Sequence, residues 1–137
     1  FYDLDQGIEY AKKVNKPIFL DFTGITCANC RTLETTMWVD PEIKKMIIED
    51  YVLVSLYTDD RTKLEKSYTR ENGEKVRTVG DQWIGYQIDN YKTNAQPYYV
   101  LIDHDKNKLT APTGYNPPVD LQAYRAFYRA GLEAFNK

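Results

Sequence analysis

The sequence lacks the residues that several common classes of functional site require. With one histidine and two cysteines in 137 residues, a single chain has too few ligands for an all-protein zinc site. Lys+Arg 18 against Asp+Glu 20 gives a net charge of −2, so no basic excess exists to neutralise nucleic-acid phosphates. The longest apolar run, Tyr51–Tyr57, is too short to cross a bilayer. With no Gly-rich phosphate loop and no Ser–His–Asp set either, the two cysteines carry almost the whole functional signal.

The composition is that of a folded domain. Hydrophobic residues make up 42% of the chain and aromatic residues 14%, which argues against disorder. The length suits one compact domain over residues 1–137. The chain starts at Phe1 without a methionine and shows no signal peptide, so we expect a segment of a longer protein.

The spacing of apolar residues predicts an α/β domain. Helical spacing is found over 3–16, from the cysteines to residue 38, after Asp40-Pro41, over 83–91 and over 121–132. Asp40-Pro41 is typical of an N-cap with proline at the first helical position. Strand patterns are found over 18–22, 51–57, 97–102 and from 108 towards 114. This order requires the first two strands to be parallel and helices to cover both faces of the sheet. The polar connection over 58–80 carries a hairpin signal at Asn72-Gly73, and we expect it to cover a sheet edge.

The motif Cys27-Ala-Asn-Cys30 follows the first strand and opens a helix, where the two cysteines share a face and could form a disulfide. As a structural disulfide it would contribute little to stability, because closing so short a loop removes only about 2 kcal/mol of unfolded-state entropy. Zinc partners are absent, since His104 stands alone in what we interpret as a surface loop. Haem attachment is excluded because Arg31, not histidine, follows the second cysteine. A redox dithiol is the favoured interpretation.

The position of each cysteine on the helix predicts its role. Cys27 faces the unpaired N–H groups of the helix start, which favour a thiolate, so it should be the nucleophile and Cys30 the resolving thiol. Asp21, at the end of the preceding strand, disfavours the thiolate, accepts the proton of Cys30, or is only a strand-end residue bound by a backbone N–H. Glu34, one turn beyond Cys30, is either a solvated residue or a modulator of the thiol pKa values.

The stretch from Asp21 to Cys30, with Gln96-Pro97 opening a later strand, resembles a thioredoxin-fold domain. The run through Glu34, Met37-Trp38 and Asp40-Pro41 narrows the resemblance to the C-terminal thioredoxin-like domain of the DsbD thiol:disulfide interchange family. The resemblance implies a thioredoxin fold with a central mixed β-sheet flanked by helices on both faces. It also implies a buried catalytic aspartate, a cis-proline and a glycine in the last strand, and a short set of residues that contact the partner: Gln96, Pro97, Thr26 and Gly114. Thr26 stands where the family commonly has tryptophan.

The resemblance further implies a thiol–disulfide oxidoreductase that passes electrons from a membrane-embedded domain to periplasmic acceptors. Such a domain would use the Cys27–Cys30 pair with no dissociable cofactor or metal, and would act on disulfide-bearing partner proteins. We expect a monomer in the periplasm, tethered to the inner membrane in the full-length protein. Two alternatives stay open: a free-standing periplasmic reductase, for example in cytochrome maturation, and a binding module whose cysteines are spectators.

Overall fold

A computed structural model describes residues 1–137. The helices are α1 (Leu4–Val14), α2 (Ala28–Thr36), α3 (Pro41–Lys45), α4 (Val79–Tyr91) and α5 (Leu121–Phe135), with a π-helical turn (Met46–Asp50) after α3. The strands are β1 (Ile18–Thr23), β2 (Val52–Tyr57), β3 (Lys63–Thr69), β4 (Lys75–Thr78), β5 (Tyr98–Ile102) and β6 (Thr113–Gly114). No helix of the chain has both the length and the apolar character needed to span a membrane.

Four strands form one mixed sheet in the order β2-β1-β5-β6. β1 runs parallel to β2 and antiparallel to β5, and β5 runs antiparallel to β6. All six residues of β1 are buried, as expected for a central strand covered on both faces. The predicted thioredoxin fold and its parallel first pair of strands are thus confirmed.

Alternate residues of β1 enter two separate cores, one on each face of the sheet. Ile18, Leu20 and Phe22 pack in a cluster with residues of α1 and α4. Phe19 packs in the other cluster, with residues of α2, α3 and α5. Asp21 follows Phe19 by two positions, so it points to the face that α2 covers. The strand period therefore places the carboxylate of Asp21 in a layer that is mainly apolar.

The start of α3 forms as the sequence predicts. Asp40 caps the helix by accepting from the Ile43 N–H at 3.2 Å, and Pro41 occupies the first turn. The same carboxylate receives two hydrogen bonds from Arg125 of α5. This pair joins two helices on one face of the sheet.

The connection over 58–80 forms the predicted hairpin, but it pairs with neither edge strand, which corrects the expectation that it covers one. β3 and β4 form a sheet of their own, and β4 leads directly into α4. Arg70 of this hairpin is ion-paired with Glu74 and with Asp89 of α4. The hairpin is therefore held against a helix. The outer edge of β2 is met instead by the backbone of Phe1.

Two element boundaries differ from the prediction. α4 begins at Val79 rather than near residue 83, because Thr78 and Asp81 form a capping box immediately after β4. The strand expected from Lys108 is reduced to an isolated bridge there, and only Thr113–Gly114 pairs with β5.

Candidate redox site

The site lies where β1 ends and α2 begins. Cys27 is the N-cap of α2, and its sulfur accepts a hydrogen bond from the Cys30 N–H at 3.2 Å. The two cysteines are joined in a disulfide with their Cα atoms 5.3 Å apart. Cys27 is half-buried, whereas Cys30 is only 1% exposed. A partner protein can thus reach the first sulfur of the pair more easily than the second.

Asp21 lies beneath this motif and is 2% exposed. Its carboxylate accepts one side-chain hydrogen bond, from Ser55 Oγ at 3.2 Å across the β1–β2 pair. Burial is the main cause that raises the pKa of Asp21 to about 7, with a smaller upward contribution from Glu34. The hydrogen bond from Ser55 and the charge of Arg31 act in the opposite direction. A carboxyl with this pKa can both hold and release a proton near neutral pH.

Glu34 is brought to the same region by α2. Its carboxylate forms an ion pair of 2.7 Å with Arg31, and its side chain is 28% exposed. Glu34 is therefore partly buried and paired rather than freely solvated. Its negative charge is close enough to raise the pKa of Asp21.

Asp59 holds the turn that precedes Cys27. Its carboxylate accepts from the Ile25 N–H at 2.8 Å, from the Thr26 N–H at 3.1 Å and from the Thr26 hydroxyl at 3.2 Å. Burial alone would raise the pKa of Asp59, but these donors together hold it below its usual range. Thr26, which is exposed, thus serves as a fixed part of the turn.

Gln96 and Pro97 reach the site from the start of β5, and the peptide bond between them is cis. Gln96 donates from its side-chain amide to the hydroxyl of Thr58. Gly24 lies beside that amide, since a Cβ on Gly24 would be 3.0 Å from Gln96 Oε1 and 3.4 Å from the Cβ of Cys27. The segment before β5 and the cysteine turn therefore face each other.

Gly114 supports Pro97 from the neighbouring strand. It pairs with Tyr98, and a Cβ at this position would lie 2.9 Å from the carbonyl oxygen of Pro97. Only a residue without a side chain permits this approach. The carbonyl of Gly114 also accepts from the hydroxyl of Tyr124 at 2.6 Å, which fixes the short strand to α5.

The structure therefore brings together the cysteine pair with Asp21, Glu34, Thr26 and Gln96 at one end of the sheet, with Pro97 and Gly114 behind them. His104 belongs elsewhere: its Nε2 atom lies 2.8 Å from the carbonyl oxygen of Lys16, where it joins a loop to the end of α1. The described residues include no group of three or more histidines, cysteines or acids that could hold a metal ion.

Sequence reasoning missed Arg31, Thr58 and Asp59 as parts of this site. A signal for Asp59 was available, because the carboxyl ends of parallel strands meet at the same edge of a sheet. Thr58 and Asp59 directly follow β2, which is parallel to β1, so they had to lie near the residues that follow β1. For Arg31 the spacing of three residues to Glu34 on a predicted helix indicated the ion pair. No local signal indicated its contacts with Thr23 and Ile25.

A mixed sheet with a Cys-x-x-Cys disulfide at the start of the helix after its central strand is typical of a thioredoxin-fold protein. A family model described as "Thioredoxin-like domain" matches residues 4–128. The chain belongs to this family. Its cysteine pair forms the disulfide described above.

Several known proteins are similar to this chain. A DsbH oxidoreductase structure has a TM-score of 0.64 with 23% identity, over 96% of this chain and 82% of that one. The reduced DsbD C-terminal domain of Neisseria meningitidis has a TM-score of 0.60 with 16% identity, over 96% and 98% of the two chains. At these identities the two structures show the fold.

Among curated proteins, spermatogenesis-associated protein 20 of Homo sapiens is 33% identical over 63 residues, which is 46% of this chain. The matched region spans only 8% of that protein's length. This similarity therefore covers part of one domain within a much longer chain.

Proposed function

We propose that this protein reduces disulfides in partner proteins through the Cys27–Cys30 dithiol. The observation that carries the proposal is the asymmetry of the pair: Cys27 is accessible at a helix start, while Cys30 is buried. Unpaired N–H groups and the positive end of the helix dipole favour a thiolate at Cys27. A purely structural bridge would need neither the accessible sulfur nor the buried carboxyl of Asp21.

The first step is attack by the Cys27 thiolate on one sulfur of the partner's disulfide. A bond forms between Cys27 and that sulfur, the partner's own S–S bond breaks, and the second partner sulfur leaves as a thiolate. Gln96, Pro97, Thr26 and Gly114 form the proposed binding side of this reaction. A partner segment could pair with the backbone before β5 as an added strand, opposite the accessible sulfur.

In the second step Cys30 loses its proton and attacks the sulfur of Cys27. The bond from Cys27 to the partner breaks, the partner leaves with both sulfurs reduced, and the Cys27–Cys30 disulfide forms. Asp21 is the proposed acceptor of the Cys30 proton, because its raised pKa matches neutral conditions and its side chain faces α2. Glu34 modulates this transfer through its charge.

The electron donor we propose is a membrane-embedded domain of the same or another chain, as in the DsbD family. The motif running from Cys30 to Asp40-Pro41 and the fold shared with a DsbD C-terminal domain support this proposal. The protein would then act in the periplasm as a monomeric domain tethered to the inner membrane. A free-standing periplasmic reductase is the alternative, and the domain content of the full-length gene product separates the two.

Two matched serine variants test the reductase. Reduced Cys30→Ser should attack a disulfide-bonded test protein and accumulate as a mixed disulfide, because the resolving sulfur is missing. Cys27→Ser should form no such adduct and should reduce the test protein no faster than buffer does. Both products can be read by mass spectrometry under denaturing, alkylated conditions. If the unmodified protein reduced the test protein no faster than Cys27→Ser and buffer do, the cysteines would be spectators of a binding module.

The equilibrium reduction potential gives a second, independent test. A value between about −180 and −270 mV fits an exchanging dithiol, with the negative end favouring a reductase. A value below about −300 mV is typical of an inert structural bridge.

A further inference from the structure

Arg31 lies directly after Cys30 and reaches back over the turn that carries Cys27. Its guanidinium donates to the Thr23 hydroxyl at 3.1 Å and to the Ile25 carbonyl at 3.4 Å. It also forms the 2.7 Å ion pair with Glu34. One side chain thus joins the end of β1, the turn and the second turn of α2.

None of these contacts involves a sulfur atom. The disulfide adds a covalent cross-link between Cys27 and the first turn of the helix, and reduction removes it. The contacts of Arg31 need no change when the sulfurs separate. The same turn is also bound by Asp59, which accepts from the N–H groups of Ile25 and Thr26. A cation and an anion therefore both hold the turn, one through a carbonyl group and the other through N–H groups.

Arg31 also contributes to the balance of charge around Asp21, where it lowers the pKa that burial and Glu34 raise. The groups that act on the pKa of Asp21 are Ser55 of β2 and Arg31 and Glu34 of α2. Three tyrosines of neighbouring elements are in turn influenced by the charge of Asp21: Tyr57 of β2, Tyr99 of β5 and Tyr128 of α5. Arg31 carries the only positive charge in this set. The two cysteines do not titrate while they form the disulfide.

We infer that Arg31 is a positioning residue of the dithiol, which ties Glu34 to the Cys27 turn and offsets the charge of Glu34 next to Asp21. This inference rests on the proposed function, in which Asp21 accepts the proton of Cys30. Without Arg31, the negative charge of Glu34 acts on Asp21 without compensation. Proton release from Asp21 then moves to higher pH, and the resolving step becomes slower at neutral pH.

The test follows the side-chain carboxyl carbon of Asp21 by NMR through a pH titration of the full oxidised chain. We expect Arg31→Gln to move the Asp21 midpoint upwards by about half a pH unit, the size of one partly solvated charge. Arg31→Lys retains the charge and should leave the midpoint close to that of the unmodified protein. Glu34→Gln should lower the Asp21 midpoint. The double variant Arg31→Gln/Glu34→Gln should have a midpoint close to that of the unmodified protein.

Arg129→Gln is the matched control. Arg129 forms a similar arginine–glutamate pair with Glu42 on an exposed helix surface, so its loss should not move Asp21. Arg31→Met, which keeps most of the side-chain stem, replaces Arg31→Gln if circular dichroism shows that the latter does not fold. The inference is overturned if Arg31→Gln and Arg31→Met give the same titration midpoint for Asp21 as Arg129→Gln does. A shift in Arg31→Lys as large as that in Arg31→Gln also overturns it, because charge would not be the cause.

The reduction rate of a disulfide-bonded test protein, measured as a pH profile, separates this inference from the proposed function. The rate should rise with pH as Asp21 loses its proton and becomes able to accept one from Cys30. In Arg31→Gln this rise should occur at a higher pH, by the same amount as the midpoint measured by NMR. An unmodified protein that reduces nothing contradicts the proposed function, whatever Asp21 does. A fully active protein whose profile does not move in Arg31→Gln contradicts the role of Arg31 alone.

Discussion

Two buried aspartates on the same side of the sheet have opposite surroundings. Asp21 is 2% exposed and receives one side-chain hydrogen bond, from Ser55. Asp40 is 7% exposed and receives two hydrogen bonds from Arg125 and one from the Ile43 N–H. The Arg125 contacts, above all, hold the pKa of Asp40 below its ordinary value, whereas burial raises that of Asp21 to about 7.

The comparison shows how one residue type is used for two purposes. The Asp40 carboxylate is held as an anion by a fixed cation and a helix start, so it stabilises the junction of α3 and α5. Asp21 lacks a directly bound cation, so its charged form is costly and its proton is easily exchanged near pH 7. A group that destabilises the fold when ionised is well suited to move a proton, and this is where the cysteines lie.

The largest effects are expected from Asp21→Asn. The variant cannot accept the Cys30 proton, so the resolving step should become slower by about 100-fold. Because it also removes a buried charge, it should raise the free energy of unfolding of the oxidised protein by about 2 to 4 kcal/mol at pH 8. Chemical denaturation and stopped-flow thiol exchange measure the two effects. Asp105→Asn, in an exposed turn, is the control and should change neither.

The pH dependence of the stability gain checks its cause. The folded-state pKa of Asp21, about 7, lies above the ordinary value of 3.8, so the folded protein retains a proton that the unfolded chain loses. The cost of the ionised state therefore grows as pH rises from about 4 to about 7 and is constant above that range. The advantage of Asp21→Asn should be small at pH 4 and complete at pH 8. An equal advantage at both values would contradict burial of charge as the explanation.

Asp40→Ala should have a smaller effect of opposite sign on stability and none on thiol chemistry. It removes the cap of α3 and leaves the Arg125 guanidinium without its carboxylate partner, so Tm should fall by several degrees. Asp40→Asn retains capping ability and should lose less. Because the pKa of Asp40 is lowered, its contribution is present above about pH 4 and is lost as pH falls below that value. A slower resolving step in Asp40→Ala would break the distinction between the two aspartates.

The sequence identified both aspartates as candidates, but it predicted only some of the residues that surround them. Asp40-Pro41 before an apolar helix is a local capping signal, and its predicted role is confirmed. Asp21 was singled out by its place before the cysteine motif, and the strand period explains the face it occupies. The partner of Asp40, Arg125, lies 85 residues away in sequence, and nothing local identifies it.

The same limit applies to Asp59 and Arg31. Their roles depend on three-dimensional proximity at the end of the sheet, which the register of β1 against β2 determines. The fold was predictable because hydrophobic period and turn residues act over short stretches. The position of the hairpin could not be predicted, because it depends on an ion pair between Arg70 and Asp89, which lies nineteen residues later on α4.

The smallest predicted effect concerns Ser55, which supplies the one side-chain hydrogen bond that Asp21 accepts. Ser55→Ala removes a donor that favours the ionised carboxyl, so the pKa of Asp21 should rise by a further half to one pH unit, about the value of one long hydrogen bond to a charged group. NMR titration of the Asp21 carboxyl carbon measures the shift, and Ser67→Ala, on the exposed strand β3, is the control.

The stability cost of Ser55→Ala should follow the ionisation of Asp21. It should be lowest near pH 5, where the folded protein keeps Asp21 protonated, and highest above pH 8, where the ionised carboxylate has lost its donor. The variant thus makes Asp21 still less like Asp40, which keeps all of its donors. A cost that does not vary with pH would mean that Ser55 matters for packing against β1 and that burial alone sets the proton affinity of Asp21.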